Sequence, residues 1–217
     1  MSSQTRHLSP AVYSYFQAHA CRETDVLAQL RLKTAHSYAD MAEMQISPEQ
    51  GQFMQFLVKA VAAQKVLEIG TFTGYSALCL AKGLTADGIL HTLELRETDA
   101  ARAKTFFDRS VYTDKIILHT GDAKKIIPAL NDEFDLVFID ADKQGYIEYF
   151  NLVLPKVRKN GFIFADNIFF QGEAILPQPK GKNAKAIRAF NKFIQERTDI
   201  EKVVLTLRDG LYLIRKL

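Results

Sequence analysis

Two short apolar runs in the sequence end on side chains that carry oxygen: Phe138-Ile139-Asp140-Ala141-Asp142-Lys143 and Phe164-Ala165-Asp166-Asn167. If the runs are neighbouring β-strands, their tips lie about 4.8 Å apart. Asp140, Asp166 and Asn167 can then aim their oxygens at one point. Three oxygens without His or Cys suit a hard divalent cation, magnesium first and then manganese or calcium, with positions left open for water or substrate. Each Asp alone has a plain structural use as a helix cap after a strand. The joint occurrence of Asp-x-x-Lys and the later Asp-Asn pair favours the cation. Lys143 beside that charge has its proton affinity lowered and is a candidate general base; its bland role is to balance Asp140 and Asp142.

A second constellation points to a nucleoside. Val66-Leu67-Glu68-Ile69-Gly70-Thr71-Phe72-Thr73-Gly74-Tyr75-Ser76 reads as a buried strand, a tight turn at Gly70 and a helix starting near Gly74. The helix start offers free N–H groups and a positive dipole end. Glu68 lies inside the apolar strand, where an unpartnered carboxylate would be costly, so a ligand or a structural neighbour must meet it. Glu94, at the end of the next strand, stands where sheets of this kind place an acid on ribose hydroxyls, and Gly121-Asp122-Ala123 ends a third strand at the same edge. The glycine spacing is not G-x-G-x-x-G, because Phe72 stands in place of the second glycine, which counts against NAD. Gly74-Tyr75-Ser76-Ala77-Leu78 superficially resembles a nucleophile elbow but lacks the last glycine and a histidine base.

These groups require a scaffold of alternating strands and helices. Apolar runs at 66–69, 90–95, 116–119, 136–139 and 162–165 alternate with helical segments, implying a parallel sheet covered on both faces. Runs 203–207 and 211–214, separated by Arg208-Asp209-Gly210, predict a terminal hairpin and an antiparallel strand. Residues 11–44 predict one or two helices, with Val26, Leu27, Leu30 and Tyr38 as buried candidates. Ser47-Pro48-Glu49-Gln50 predicts a capping box opening a helix over 48–63 that buries Phe53, Phe56, Leu57, Ala60 and Val61. The loop 171–183 is the long irregular stretch, expected to shape a pocket.

The 217 residues, 47% hydrophobic and 24% charged, suit one domain. Lys plus Arg outnumber Asp plus Glu by only 28 to 25, with no like-charge run, so nucleic-acid binding is not expected. No apolar stretch approaches the roughly 18 residues of a membrane helix, and the opening MSSQTRHLSP lacks the apolar core of a secretory signal, so a cytoplasmic protein without membrane partners is expected. Cys21 and Cys79 lie too far apart for a CxxC site and are expected as buried thiols in helices; His91 and His119 are expected as strand residues.

Taken together, EIGTFTGYSA at 68–77, Glu94, GDA at 121–123, FIDADK at 138–143 and DN at 166–167 resemble the class I, cation-dependent O-methyltransferases, especially the bacterial members of the caffeoyl-CoA and catechol O-methyltransferase group. The resemblance runs from about Met44 to the C-terminal DGLYLIRK. It implies a single methyltransferase domain with N-terminal helices over 1–45 and a catalytic core over 46–217. The implied fold is a doubly wound, mostly parallel seven-stranded α/β sheet with an antiparallel last strand. It further implies S-adenosylmethionine as methyl donor, a divalent cation and a homodimer. Carried over by position, Glu68, Gly70, Thr71 and Ser76 hold the methionine part of the cofactor, Glu94 the ribose, and Asp122 with Ala123 the adenine, with Ile46 at the start of the cofactor contacts. Asp140, Asp166 and Asn167 become metal ligands, Lys143 the base and Asp142 a substrate neighbour.

The implied reaction methylates one hydroxyl of a catechol-like or phenylpropanoid-type small molecule. A phenol with a pKa of about 10 needs help to become a nucleophile at neutral pH, and chelation at a cation provides it. Two rivals are an NAD-dependent oxidoreductase, which leaves Asp140, Lys143, Asp166 and Asn167 without a task, and a nucleic-acid methyltransferase, which would ordinarily show a basic face and a Pro-Pro-aromatic motif where FIDADK stands. The chain departs from many relatives in having no Trp at all, with Ile168-Phe169-Phe170-Gln171-Gly172 where they carry one before the glycine, and Arg96 follows Glu94 where a further acid is common.

Overall fold

Each of the five apolar runs after residue 65 forms a strand, and each strand leads into a helix that covers the sheet. The computed structural model describes residues 9–20 and 22–217, so Cys21 lies outside the described residues. The elements in chain order are α1 (Pro10–His19), α2 (Asp25–Ser37), α3 (Pro48–Ala60), β1 (Lys65–Ile69), α4 (Tyr75–Gly83), β2 (Ile89–Glu94), α5 (Glu97–Phe107), β3 (Ile116–Thr120), α6 (Ala123–Ala129), β4 (Phe134–Ile139), α7 (Tyr146–Val153), β5 (Val157–Asp166), α8 (Lys182–Glu196), β6 (Ile200–Leu205) and β7 (Leu211–Lys216). A 3-10 segment, Ala39–Met44, links α2 to α3.

The sheet has seven strands in the order β3-β2-β1-β4-β5-β7-β6. β7 alone runs against its neighbours, pairing antiparallel with both β5 and β6. The strand order reverses between β1 and β4, the switch point at which open α/β sheets bind ligands. Alternate residues of each strand face two separate cores. Leu67, Ile69, Val137, Ile139 and Ile163 pack with Phe150, Ile187 and Phe190 of α7 and α8. Val66, Leu90, Leu136, Phe138 and Phe164 pack with Met54, Val58 and Leu78 of α3 and α4. Burial on both faces is why the central strands read as continuous apolar runs.

Several expectations are corrected. α3 buries Gln50, Gly51, Met54 and Val58, a stripe rotated about one residue from the expected one. Phe53, Leu57 and Val61 are only partly buried, while Phe56 is 75% exposed and Ala60 is exposed as well. The heavier aromatic residues drew the expected stripe, but the close approach to α4 selects the side with Gly51, whose added Cβ would come within 2.7 Å of Cys79 Sγ. Half of the capping box is made: Ser47 Oγ accepts the Gln50 N–H at 3.4 Å, but the Gln50 side chain is buried and makes no return bond. β5 starts at Val157, five residues earlier than its apolar run, because Val157 pairs with Phe134 at the start of β4, and the register then shifts so that Leu136 pairs with Phe162. The β6–β7 connection is Thr206 to Gly210, longer than the three residues expected. Loop 171–183 contains the 3-10 turn Glu173–Ile175 and gives way to α8 at Lys182. Cys79 is buried in α4, and His91 and His119 stand on β2 and β3 with Nδ1 and Nε2 3.0 Å apart.

Candidate active site

The carboxyl ends of β1 to β5 share one edge, and a cavity of about 560 Å³ opens along it. That is the size of a small-molecule site. Of the residues expected there, Ile46, Gly70, Thr71, Ser76, Glu94, Asp122, Ala123, Asp140, Asp142, Lys143 and Asn167 line the cavity. Glu68 and Asp166 stand behind this lining, both fully buried.

Gly70 is where β1 passes the tip of β4. Its φ is +100°, and a Cβ built there would lie 1.9 Å from the Asp140 carbonyl oxygen, so no side chain fits. The turn also brings the Gly70 and Thr71 N–H groups onto the Leu93 carbonyl at 2.9 and 3.2 Å, tying β1 to β2.

Glu68 receives the Thr92 hydroxyl at 2.5 Å. Thr92 in turn lies 2.6 Å from Thr71 Oγ1, which must be the donor because the Thr92 proton is already committed. The other oxygen, Oε1, has no hydrogen-bond partner among the described residues. Ser76 lies close enough to favour the charged form, but burial dominates, and the Asp140 and Glu94 charges add to it, pushing Glu68 up to about 8. Oε1 thus belongs to a buried carboxyl without a hydrogen bond on that oxygen, whose ionised form a positive ligand group would favour.

Glu94 is held chiefly by backbone N–H groups. Oε2 accepts the Phe72 N–H at 2.7 Å and Oε1 the Arg96 N–H at 3.0 Å. The Arg96 guanidinium lies nearer to Asp99, at 2.6 Å, than to Glu94 Oε1, at 3.9 Å. Asp122 does cap α6, accepting the Lys124 N–H at 2.9 Å, so its structural role and its position on the cavity wall coexist.

β4 and β5 are adjacent and parallel, with Ile139 opposite Ala165, so Asp140 and Asp166 follow at neighbouring strand ends. Neither oxygen of Asp166 has a hydrogen-bond partner among the described residues, although the side chain is fully buried. Burial and then the Asp140 charge raise its pKa; Lys143 and Arg208 oppose this. The Arg208 guanidinium stays 3.7 Å away and bonds the Glu43 carbonyl. Lys143 donates to Asp140 Oδ1 at 2.8 Å and to the Tyr146 hydroxyl at 2.8 Å. Burial works against the ammonium, but the Asp140 carboxylate outweighs it and raises the Lys143 pKa. Without a cation, therefore, Lys143 is charged. Among the described residues no three His, Cys, Asp or Glu side chains converge on an ion position. The third oxygen of the expected set belongs to the Asn167 amide.

Other site residues escaped the sequence reading. Tyr146 is fully buried; its hydroxyl accepts from Lys143 and lies 3.1 Å from the Asp166 carbonyl, bridging the two strand tips. The Tyr149 hydroxyl donates to Asp142 Oδ1. Both lie one and two helical turns beyond Lys143, a spacing that could have flagged them. Met41, Glu43, Met44 and Gln45 bring the N-terminal segment to the cavity wall, and Thr73 joins Thr34 of α2 at 3.1 Å. Loop 171–183 lines the cavity only through Gln171 and Asn183.

A seven-stranded doubly wound sheet with ligand groups gathered at its switch point defines a nucleoside-binding α/β enzyme. The sequence profile of the O-methyltransferase family matches residues 17–217. A catechol O-methyltransferase of Niastella koreensis is 35% identical over 173 residues, covering 78% of each chain. A caffeoyl-CoA O-methyltransferase of Eucalyptus gunnii is 30% identical over 223 residues, covering 96% of this chain and 88% of the other. The crystal structure of the O-methyltransferase TomG from Streptomyces achromogenes, in complex with S-adenosylmethionine, superposes with a TM-score of 0.87 at 28% identity, covering 95% of this chain and 96% of that one. The chain belongs to the class I S-adenosylmethionine-dependent O-methyltransferase family. Neither rival reading is favoured by these relationships.

Proposed function

We propose that the enzyme methylates one hydroxyl of a catechol-like or phenylpropanoid-type small molecule, with S-adenosylmethionine and a divalent cation bound side by side. The observation that carries the cation is Asp166: a fully buried side chain, next to Asp140 and Asn167, with neither oxygen hydrogen-bonded among the described residues and only the Arg208 guanidinium, 3.7 Å away, facing it. A buried carboxylate without hydrogen bonds is costly, and one guanidinium at 3.7 Å compensates it only in part. An all-oxygen donor set fits magnesium, with manganese and calcium as alternatives. When bound, the cation lowers the pKa of a hydroxyl that reaches it.

The chain's own residues supply the rest. Asp140, Asp166 and Asn167 hold the cation. Lys143, fixed by Asp140 and Tyr146, stands at the strand tip; it is charged while Asp140 faces it alone, and would serve as the proton acceptor with the cation's charge beside it. Asp142, held by Tyr149, neighbours the acceptor molecule. Glu68 pairs with the positive amino group of the cofactor's methionine part, which Gly70, Thr71, Ser76 and Ile46 enclose; Glu94 takes the ribose, and Asp122 with Ala123 the adenine. The turn at Gly70 keeps the cofactor's walls within one strand spacing of the cation set, so much of the acceleration is orientation. The single domain divides into an N-terminal extension over 1–45 and a core over 46–217, with Met41 to Gln45 of the extension closing the cavity.

We also propose a homodimer in the cytoplasm. Phe56 of α3 at 75% exposure and Val203 of β6 at 55%, the latter paired with Leu213 of β7, are exposed apolar side chains of the kind that protein interfaces cover. No helix is long and apolar enough to cross a membrane among the described residues.

The test is methyl transfer from labelled S-adenosylmethionine to a panel of vicinal diphenols, with EDTA and then with magnesium restored. Transfer should stop and return, and Asp140→Ala should abolish it while leaving cofactor binding nearly unchanged. Full activity in EDTA would remove the cation from the mechanism. Absence of transfer to any vicinal diphenol would remove the acceptor class.

A further inference from the structure

Asp209, in the turn between β6 and β7, has a defined geometry that the reaction as described does not use. Its Oδ1 accepts the Gln171 backbone N–H at 2.7 Å and its Oδ2 accepts Asn167 Nδ2 at 3.2 Å. Two backbone bonds clamp the same two segments together: Phe169 N–H to the Asp209 carbonyl at 3.0 Å and Ile168 N–H to the Gly210 carbonyl at 3.2 Å. Gly210, with φ +83°, is tight against the chain, since a Cβ there would lie 2.6 Å from the Phe169 ring. The hairpin turn thus braces the segment that follows β5, where Asn167 itself adopts φ +56°.

An asparagine amide has one end that can ligate a cation and one that cannot: the carbonyl oxygen accepts, the NH₂ only donates. A half-turn about its last torsion exchanges the two. An ionised carboxylate accepts only, so the contact seen at Asp209 can be made by Nδ2 and never by Oδ1. We propose that Asp209 is a positioning residue that fixes the Asn167 amide with its oxygen directed to the cation and its nitrogen away from it. The proposal rests on the cation reading above. Orienting partners of this kind typically govern metal affinity by about 10- to 100-fold.

The experiment measures Mn²⁺ affinity of the full chain by electron paramagnetic resonance of the free ion. Wild type should bind Mn²⁺, and Asp140→Ala should not. Asp209→Asn should weaken Mn²⁺ binding by about tenfold or more. In an Asn167→Asp background a carboxylate presents oxygen in either orientation, so adding Asp209→Asn should cost nothing or even improve binding by removing a like charge. An unchanged affinity in Asp209→Asn, or an equal loss in both backgrounds, would overturn the positioning role. If wild type fails to bind Mn²⁺, or binds it as well without Asp140, the cation reading itself falls and takes this one with it. If Asp209→Asn is too unstable to purify, the wild-type Asn167 side-chain amide supplies the answer by nuclear magnetic resonance. Slowed solvent exchange of its Nδ2 proton is expected, and exchange as fast as in exposed asparagines would overturn the proposal.

Discussion

Replacing Glu68 by Gln should make the cofactor-free protein more stable as the pH rises, relative to wild type. Glu68 is fully buried and its pKa is pushed up from 4.5 to about 8, first by burial and then by the charges of Asp140 and Glu94. The native state therefore keeps a proton that the unfolded chain has released between those two values. Where the native state binds more protons, stability falls with rising pH. The contribution is fully present below the unfolded pKa, declines through the window and is lost above about pH 8. At about 1.4 kcal/mol for each tenfold change in proton affinity, the whole window is worth roughly 4–5 kcal/mol. Gln carries no proton to lose. Urea denaturation of wild type and Glu68→Gln at pH 5, 6, 7 and 8 should give a stability difference that grows in favour of the variant across the series. His91 and His119, both lowered chiefly by burial, are common to the two proteins, so the difference between them reports on Glu68. The same logic bears on the ligand. A cationic amino group at Oε1 would favour the carboxylate, so binding of S-adenosylhomocysteine at pH 7 should release protons into buffer, measurable by calorimetry in buffers of different ionisation enthalpy. The variant should release none and bind at least about tenfold more weakly, the loss of one charge-assisted contact. Parallel stability curves for the two proteins from pH 5 to 8 would refute the reasoning.

Two further outcomes are expected. Lys143→Ala should depress the methylation rate and move its pH profile upward, because the hydroxyl must then lose its proton without the acceptor at the strand tip; an unchanged profile would reduce Lys143 to a charge partner of Asp140. Gly70→Ala should destabilise the fold by at least about 2–3 kcal/mol, because its Cβ would lie 1.9 Å from the Asp140 carbonyl and at positive φ. A thermal melt as high as wild type would show that the β1 turn can relax.

The expected strands all formed because their signal is local. A run such as 136–139 is apolar throughout, and only burial on both faces tolerates that. The order of the oxygen-bearing residues was legible for the same reason, since Asp140 and Asp166 each end such a run. Where a boundary or face was misjudged, a tertiary contact outweighed the pattern. α3 presents Gly51 and Met54 rather than Phe56 because α4 lies close, and β5 begins ahead of the charged stretch 158–160 because Phe134 of β4 offers Val157 a partner. Asp209 was legible only as a turn residue of the hairpin, with nothing to announce its contact with Asn167.

By itself the sequence determined the alternation of strands and helices, the turn at Gly70 and which side chains stand at strand ends, since these follow from hydropathy period and backbone sterics between near neighbours. The tertiary structure alone decided that β4 and β5 lie side by side, that Glu68 keeps one oxygen bare, that the N-terminal segment walls the cavity and that a turn 42 residues along the chain holds the Asn167 amide. Proximity across such separations depends on how the chain closes its sheet, and no local period encodes it.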